Sequence, residues 1–381
     1  MLRNKKNDIL YNNGRALALK ALAGQSTDRI PVGVFTWGFD YYWKVAGLEP
    51  WQLACGGSRT WHIAHRALYE RHCPDIIWYD GAGSGLEEPT LIRETPESWI
   101  VRDNNTQIEY ELFKTSLSLR NLQTGKKTCD PVGKIESKID ADRLIPPFTG
   151  WGENYLKGLK TLIAELGEKA LVLPHHSPAY ICACYAFGFE RAMETMLFNP
   201  ELFIYACERY SEGDQLRMQE LANAGAEAVF IADGWASCDI ISPEMFERFA
   251  LPYQVSITKA AHEAGLRIIL WNEGNILPVL EREASVGVDA FAFEQSRKGV
   301  DISVAKVREI FGPHRCLFGN LDSEQLLMRA NEQEIRHGIT NQIHMSGARQ
   351  PFIMCTGSPI PSNVDPLAVD VIIQATREFR F

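Results

Sequence analysis

Short apolar runs that stop at polar or glycine-rich turns recur along this chain, and each is followed by a longer helical pattern. That alternation is the mark of parallel β/α units. Eight runs fit it: Ile30–Phe35, Asp75–Tyr79, Ala170–Leu173, Ala228–Ala232, Arg267–Leu270, Asp289–Phe293, Cys316–Gly319 and Phe352–Cys355. Among the helices expected between them, one spans Ser242–Ala264. There Ser242-Pro243-Glu244 supplies an N-cap, a first-turn proline and an acid favoured by the helix dipole. Another, Pro366–Phe379, closes the chain. Eight units suit a closed barrel, whereas an open doubly wound sheet stops near about six and carries a glycine-rich phosphate turn. Neither a GxGxxG nor a Walker pattern occurs. The pattern therefore predicts an α/β fold, a single (β/α)8 TIM barrel over residues 1–381. Residues 87–122 break the rhythm, because Leu91-Ile92-Arg93 and Gln107-Ile108-Glu109-Tyr110-Glu111 alternate in polarity. They predict a small antiparallel insertion after the second strand. Residues 1–27 are predicted to form a helical cap at the bottom of the barrel.

Composition narrows the class. A hydrophobic share of 45% with 23% charged residues is ordinary for a packed globular protein. The net charge of -9 is the wrong sign for general attraction to nucleic-acid phosphates. No run approaches the roughly 18 apolar residues of a membrane span, and the segment around Arg3, Lys5, Lys6 and Asp8 lacks the apolar stretch of a signal peptide. A cytoplasmic protein is expected, with neither nucleic acid nor membrane as partner. Nine cysteines without framework spacing fit free thiols in a reducing compartment, which leaves the sequon Asn104-Asn105-Thr106 unused. Cys182 and Cys184 lie two residues apart. On a helix they point about 200° apart, so packing rather than metal binding is expected.

In such a barrel the loops leaving the strands converge on one mouth. The first strand opens into Phe35-Thr36-Trp37-Gly38-Phe39-Asp40-Tyr41-Tyr42-Trp43, six of nine aromatic. The next ends give Asp80, His175-His176-Ser177-Pro178, Asp233-Gly234-Trp235 and Trp271-Asn272-Glu273-Gly274-Asn275. The last three give Glu294, Gly319-Asn320-Leu321-Asp322 and Cys355-Thr356-Gly357-Ser358. A mouth acidic at the centre and aromatic at the rim suits a metal or proton donor beneath a flat apolar substrate. The aromatic cluster can equally be core or lid, and one of His175 and His176 can simply bond a backbone carbonyl. For Asp233, Glu273 and Glu294, the cost of burying carboxylates at strand ends points to chemistry.

At these residues the chain resembles the uroporphyrinogen decarboxylase superfamily, which includes corrinoid-dependent methyltransferases as well as the haem-pathway decarboxylase. The carriers are Gly14-Arg15-Ala16, Asp28-Arg29-Ile30-Pro31, Ile241-Ser242-Pro243-Glu244-Met245-Phe246 and Leu251-Pro252-Tyr253. Further on come Gly274-Asn275, Gly319-Asn320-Leu321-Asp322, Gly357-Ser358-Pro359-Ile360-Pro361 and Val364-Asp365-Pro366. The resemblance implies the same barrel. The decarboxylases carry an Arg-Gln-Ala-Gly-Arg segment after the first strand, where this chain has Trp37-Gly38-Phe39-Asp40. A porphyrinogen with many carboxylates needs several arginines, and an aromatic, acidic mouth repels it. The methyltransferase branch therefore fits better.

Thiol-methylating members of the superfamily bind zinc through a His-x-Cys turn and a later cysteine. Here those positions hold Trp271, Glu273 and Ser358, so the soft ligand set that activates a thiol is missing. A harder zinc centre on Glu273 and Glu294, completed by Asp233, by His175 or His176, or by Cys355, is the expectation that remains. The resemblance thus implies a methyltransferase that demethylates a small donor, a methoxylated aromatic, and passes the methyl group to the corrinoid of a separate carrier protein docked transiently over the mouth. Asp233, Glu273, Glu294 and His176 are the expected catalytic residues. Trp37, Phe39, Tyr42, His175, Trp235, Trp271 and Asn320 are the expected substrate contacts. Alternatives are a decarboxylase acting on a porphyrinogen or another acid, and a non-catalytic binding barrel. A homodimer is left open.

Overall fold

A computed structural model describes the chain except residues 1–12, 38–40, 82–85, 87–88, 115–117, 129, 298, 348 and 381. In chain order the strands are β1 (Gly33–Val34), β2 (Ile76–Tyr79), β3 (Thr90–Glu94), β4 (Ser98–Arg102), β5 (Glu109–Phe113) and β6 (Leu119–Asn121). They continue as β7 (Leu171–His176), β8 (Ala228–Ala232), β9 (Arg267–Asn272), β10 (Ala290–Phe293), β11 (Cys316–Phe318) and β12 (Phe352–Ile353). Eight of them form one sheet in the order β1-β2-β7-β8-β9-β10-β11-β12, every pair parallel. A parallel bridge between Val32 and Met354 joins the two ends into a ring. The predicted TIM barrel is thereby found.

Strand alternation divides the core into two layers. Phe35, Trp78, Leu173, Phe230, Trp271 and Phe318 fill the barrel, and Ala18, Ala21 and Leu22 of helix Gly14–Leu22 belong to the same cluster. That helix lies against the amino ends of the strands. A side chain at Gly14 would strike Asp75 and the Lys169 carbonyl, just ahead of β2 and β7, so only glycine fits there. Of the helical cap expected over residues 1–27, residues 14–22 form this helix, 23–27 leave it as turn and irregular chain, and 1–12 lie outside the described residues. Val229, Ile231, Ile268 and Leu270 point the other way and pack with the surrounding helices.

The barrel's first strand is pinned from below. Arg29 donates two 2.7 Å bonds to Asp75, which also accepts the Val32 N–H at 2.9 Å. Strands β3–β6 form the separate antiparallel sheet expected after the second barrel strand. Trp99, Val101, Leu112 and Leu119 make its small core, with Ala54, Cys55 and Leu86.

The helix expected over Ser242–Ala264 is interrupted. It runs as Pro243–Met245, a π turn over Phe246–Ala250, and Leu251–Glu263. Pro252 explains the widened turn, since its ring clashes with the carbonyl one turn earlier and it has no N–H to donate. No helix among the described residues is long and apolar enough to cross a membrane. The eight described cysteines are all free.

Candidate active site

The carboxyl ends of the strands gather an aromatic wall. Trp37 lies 4.6 Å from His175 and 6.2 Å from Trp271 between ring centroids, and Phe35 meets Trp271 edge-on beneath them at 5.8 Å. The Trp271 indole N–H donates to the Gly357 carbonyl at 2.9 Å, so β9 and the last loop hold that ring from both sides. His175 follows the inward parity of Leu171 and Leu173, and its Nδ1 is 3.4 Å from Asp80 at the end of β2. Burial pushes the His175 imidazole down to about 4 and His176 to about 3, so both rings are neutral at pH 7.

A second aromatic group faces the same ends from a helix rather than a strand. Trp151 stacks on Tyr155 at 4.6 Å and meets His176 edge-on at 5.5 Å. Tyr155 sits in the first turn of helix Glu153–Leu166, and the Tyr79 hydroxyl donates to its carbonyl at 2.8 Å. Gly81, just beyond β2, has the Tyr155 ring where a Cβ would be. Trp151 and Tyr155 are not among the expected contacts, because they lie at the start of a helix rather than at a strand end. The signal available was Trp151-Gly152-Glu153 opening a helix, which starts at the same end of the barrel as the strands finish.

The expected catalytic carboxylates separate into different roles. Glu294 points inward but is fully engaged: its oxygens take the Gly274 N–H at 2.9 Å, the Ser358 hydroxyl at 3.1 Å and the Arg297 guanidinium at 2.6 Å. It clamps three loops together. Asp233 turns away from the barrel, as its parity with Val229 and Ile231 requires. There it accepts from Gln254 at 2.8 Å on helix Leu251–Glu263, and burial raises its carboxyl to about 7. Neither matches the expected role. Glu273 follows Ile269 and Trp271 in parity, is half-buried, and crowds Gly234, where a Cβ would come within 2.8 Å of its carboxylate.

Other expected contacts also move. Tyr42 is fully buried and donates to the Trp78 carbonyl at 2.6 Å, so it is core. Asn320 receives Gln342 at 3.0 Å and donates to the Ile302 carbonyl at 3.2 Å, lining a cleft of about 840 Å³ beyond the ends of β10 and β11. Trp235 packs edge-on against Tyr185 at 4.9 Å and Phe189 at 5.2 Å on the rim. Phe39 lies outside the described residues.

The expected zinc set does not assemble among the described residues. Among the described residues no three His, Cys, Asp or Glu side chains are placed to hold a metal ion. Glu294 already has three partners. Cys355 is buried inside the barrel, where desolvation pushes its thiol up to about 12. The residues present do not fit that centre.

The family model for uroporphyrinogen decarboxylase matches residues 133–379, and the chain belongs to that family. Its match begins after β1, β2 and the antiparallel insertion. The uroporphyrinogen decarboxylase of Chlorobium phaeovibrioides is 26% identical over 255 residues, covering 64% of this chain and 70% of that protein. That of Desulfotalea psychrophila is 30% identical over 220 residues, covering 55% and 61%. Among solved structures, a methyltransferase from Methanosarcina mazei superposes with a TM-score of 0.70 at 18% identity, covering 96% of this chain and 98% of that one. This last likeness is one of fold.

Proposed function

We propose that this protein is a methyltransferase that removes a methyl group from a small methoxylated aromatic donor and delivers it to the corrinoid of a separate carrier protein. The observation that carries the reading is the Trp37–His175–Trp271 wall, standing where a porphyrinogen decarboxylase would need cationic clamps. Arg297, beyond β10, is spent on Glu294. An uncharged arene packs against such a wall, whereas a polycarboxylate meets Asp80 and Glu273.

The corrinoid, carried by the partner, supplies the nucleophile. This chain has to stabilise the departing oxygen as the C–O bond breaks and the electron pair stays on oxygen. Glu273 is assigned to give that oxygen its proton. The neutral His175, its one N–H turned to Asp80, is assigned to pack against the arene beside Trp37, and His176 with Trp151 keeps water from that side. No step is routed through zinc. Purified protein with reduced carrier and a panel of methoxyarenes tests the reading, followed by the cobalt absorption spectrum. Demethylation of one donor with the matching spectral change supports it; an unchanged spectrum with every donor overturns it.

A second reading has its own support, since the curated relatives named above are decarboxylases. Release of carbon dioxide from uroporphyrinogen by the purified protein would establish it.

A further inference from the structure

Behind β8 and β9, between the barrel wall and the helices, lies a polar network built of buried residues. Asn272 is its centre. Its Nδ2 donates to Glu283 at 2.7 Å and to the Ala236 carbonyl at 3.3 Å, while its Oδ1 accepts the backbone N–H of Glu273 at 2.8 Å. Helix Leu280–Ser285, the loop after β8 and the first residue beyond β9 therefore meet on one side chain. Asn272 and Glu283 are both 0% exposed. The amide orientation is determined, because flipping it would set its oxygen against the Ala236 carbonyl and its NH2 against the Glu273 N–H.

We infer that Glu283 is a positioning residue of the mouth: through Asn272 it fixes the point of the backbone from which Glu273 projects. The inference rests on the reading of Glu273 as a group that faces the donor. Glu283 itself touches no donor; it acts at one remove.

The surroundings of Glu283 decide in which form it does so. Arg282, its neighbour on the helix, turns to Glu247 and to the Pro278 carbonyl. Asp233 approaches from the end of β8 with Gln254 attached, and Cys238 from the loop beyond. With Arg282 turned away, the groups that face Glu283, Asp233 and Cys238, carry no positive charge, and a buried carboxylate without a counter-charge is costly. Burial, opposed by the Asn272 bond and reinforced by Asp233, brings the Glu283 carboxyl up to about 8. Glu283 thus holds Asn272 as a neutral acid at pH 7. Ionising it beside Asp233 puts like charges into one dry compartment, which opens the network.

Hydrogen exchange of residues 272–276 in the full-length protein reads this without any substrate, once intrinsic rates at each pH are corrected. Glu283→Gln keeps the acceptor and cannot ionise. It should protect the Glu273 amide as wild type does at pH 7 and keep that protection at pH 9, where wild type loses about tenfold or more. Glu283→Leu should show that loss already at pH 7. Equal protection in wild type and Glu283→Gln at pH 9 overturns the inference, and so does full protection in Glu283→Leu. If Glu283→Leu does not fold, the comparison at pH 9 decides alone. With a proven donor, Glu283→Leu should lower kcat about tenfold with KM held within about twofold, and Glu283→Gln should restore it. If Glu273→Gln leaves methyl transfer unchanged while the exchange pattern holds, the role of Glu273 fails and the coupling stands. If Glu273→Gln abolishes transfer while the exchange pattern is missing, the positioning role fails and the functional reading stands.

Discussion

Glu294 and Arg297 are joined across 2.6 Å, three residues apart beyond β10, and this pair changes what the end of β10 can do. Glu294 is 4% exposed and is held by that guanidinium together with Ser358 and Gly274. Arg297→Met should destabilise the fold by about 1–2 kcal/mol, below the range for fully buried pairs because Arg297 itself is about one-third exposed. Glu294→Gln, which keeps both neutral partners, should cost less. Urea unfolding of the two variants makes the comparison, and an equal or larger loss in Glu294→Gln would contradict the clamp.

Gly81 is needed for space. Alanine there meets the Tyr155 ring, and overpacking of this kind costs about 1–3 kcal/mol. Thermal unfolding of Gly81→Ala should show the loss, and Gly81→Ala combined with Tyr155→Ala should recover part of it relative to Tyr155→Ala alone. If the two effects simply add, the contact is not the cause.

Asp233 ties stability to pH. Its folded value of about 7 lies above the unfolded carboxylate range, so the proton is held more tightly in the folded state. The stabilisation is complete below about pH 4 and is lost as pH rises through 7, by at most about 1.4 kcal/mol per unit. Asp233→Asn should remove this share of the slope, so the variant gains on wild type from pH 4.5 to 7.5. Parallel curves for the two proteins over that range would refute it.

The wall residues should act on binding more than on chemistry. Trp37→Ala is expected to raise the KM of an accepted methoxyarene about tenfold with kcat within about threefold, as loss of a stacking surface would. Trp271→Phe keeps the ring but leaves the Gly357 carbonyl without its donor, which should cost about 1–2 kcal/mol of stability. Steady-state kinetics and unfolding separate the two, and a kcat-only effect at Trp37 would place the donor elsewhere.

Much of this was legible in the chain, for reasons that particular residues show. The barrel runs were bounded by turns and lay close to the strands found, and Trp37, His175, Trp271 and Glu273 stand at the ends where they were expected. The outward turn of Asp233 could have been read too, since Phe230 and Ala232 face inward and the next residue must face out. Glu294 could not: it has inward parity, and only three dimensions reveal Arg297, Ser358 and Gly274 closing over it. Tyr42 reads as part of an aromatic loop yet lies on a helix that buries it against Trp61 and His65. β4 was missed because Ser98–Val101 is buried on both faces and shows no alternation.

A methoxyarene carrying a 13C-labelled methyl group, turned over by the purified protein with reduced corrinoid carrier, tests the methyltransferase reading most directly. The expected result is the label on cobalt, lost in Glu273→Gln. Label that stays on the arene, alongside carbon dioxide released from uroporphyrinogen, would contradict it.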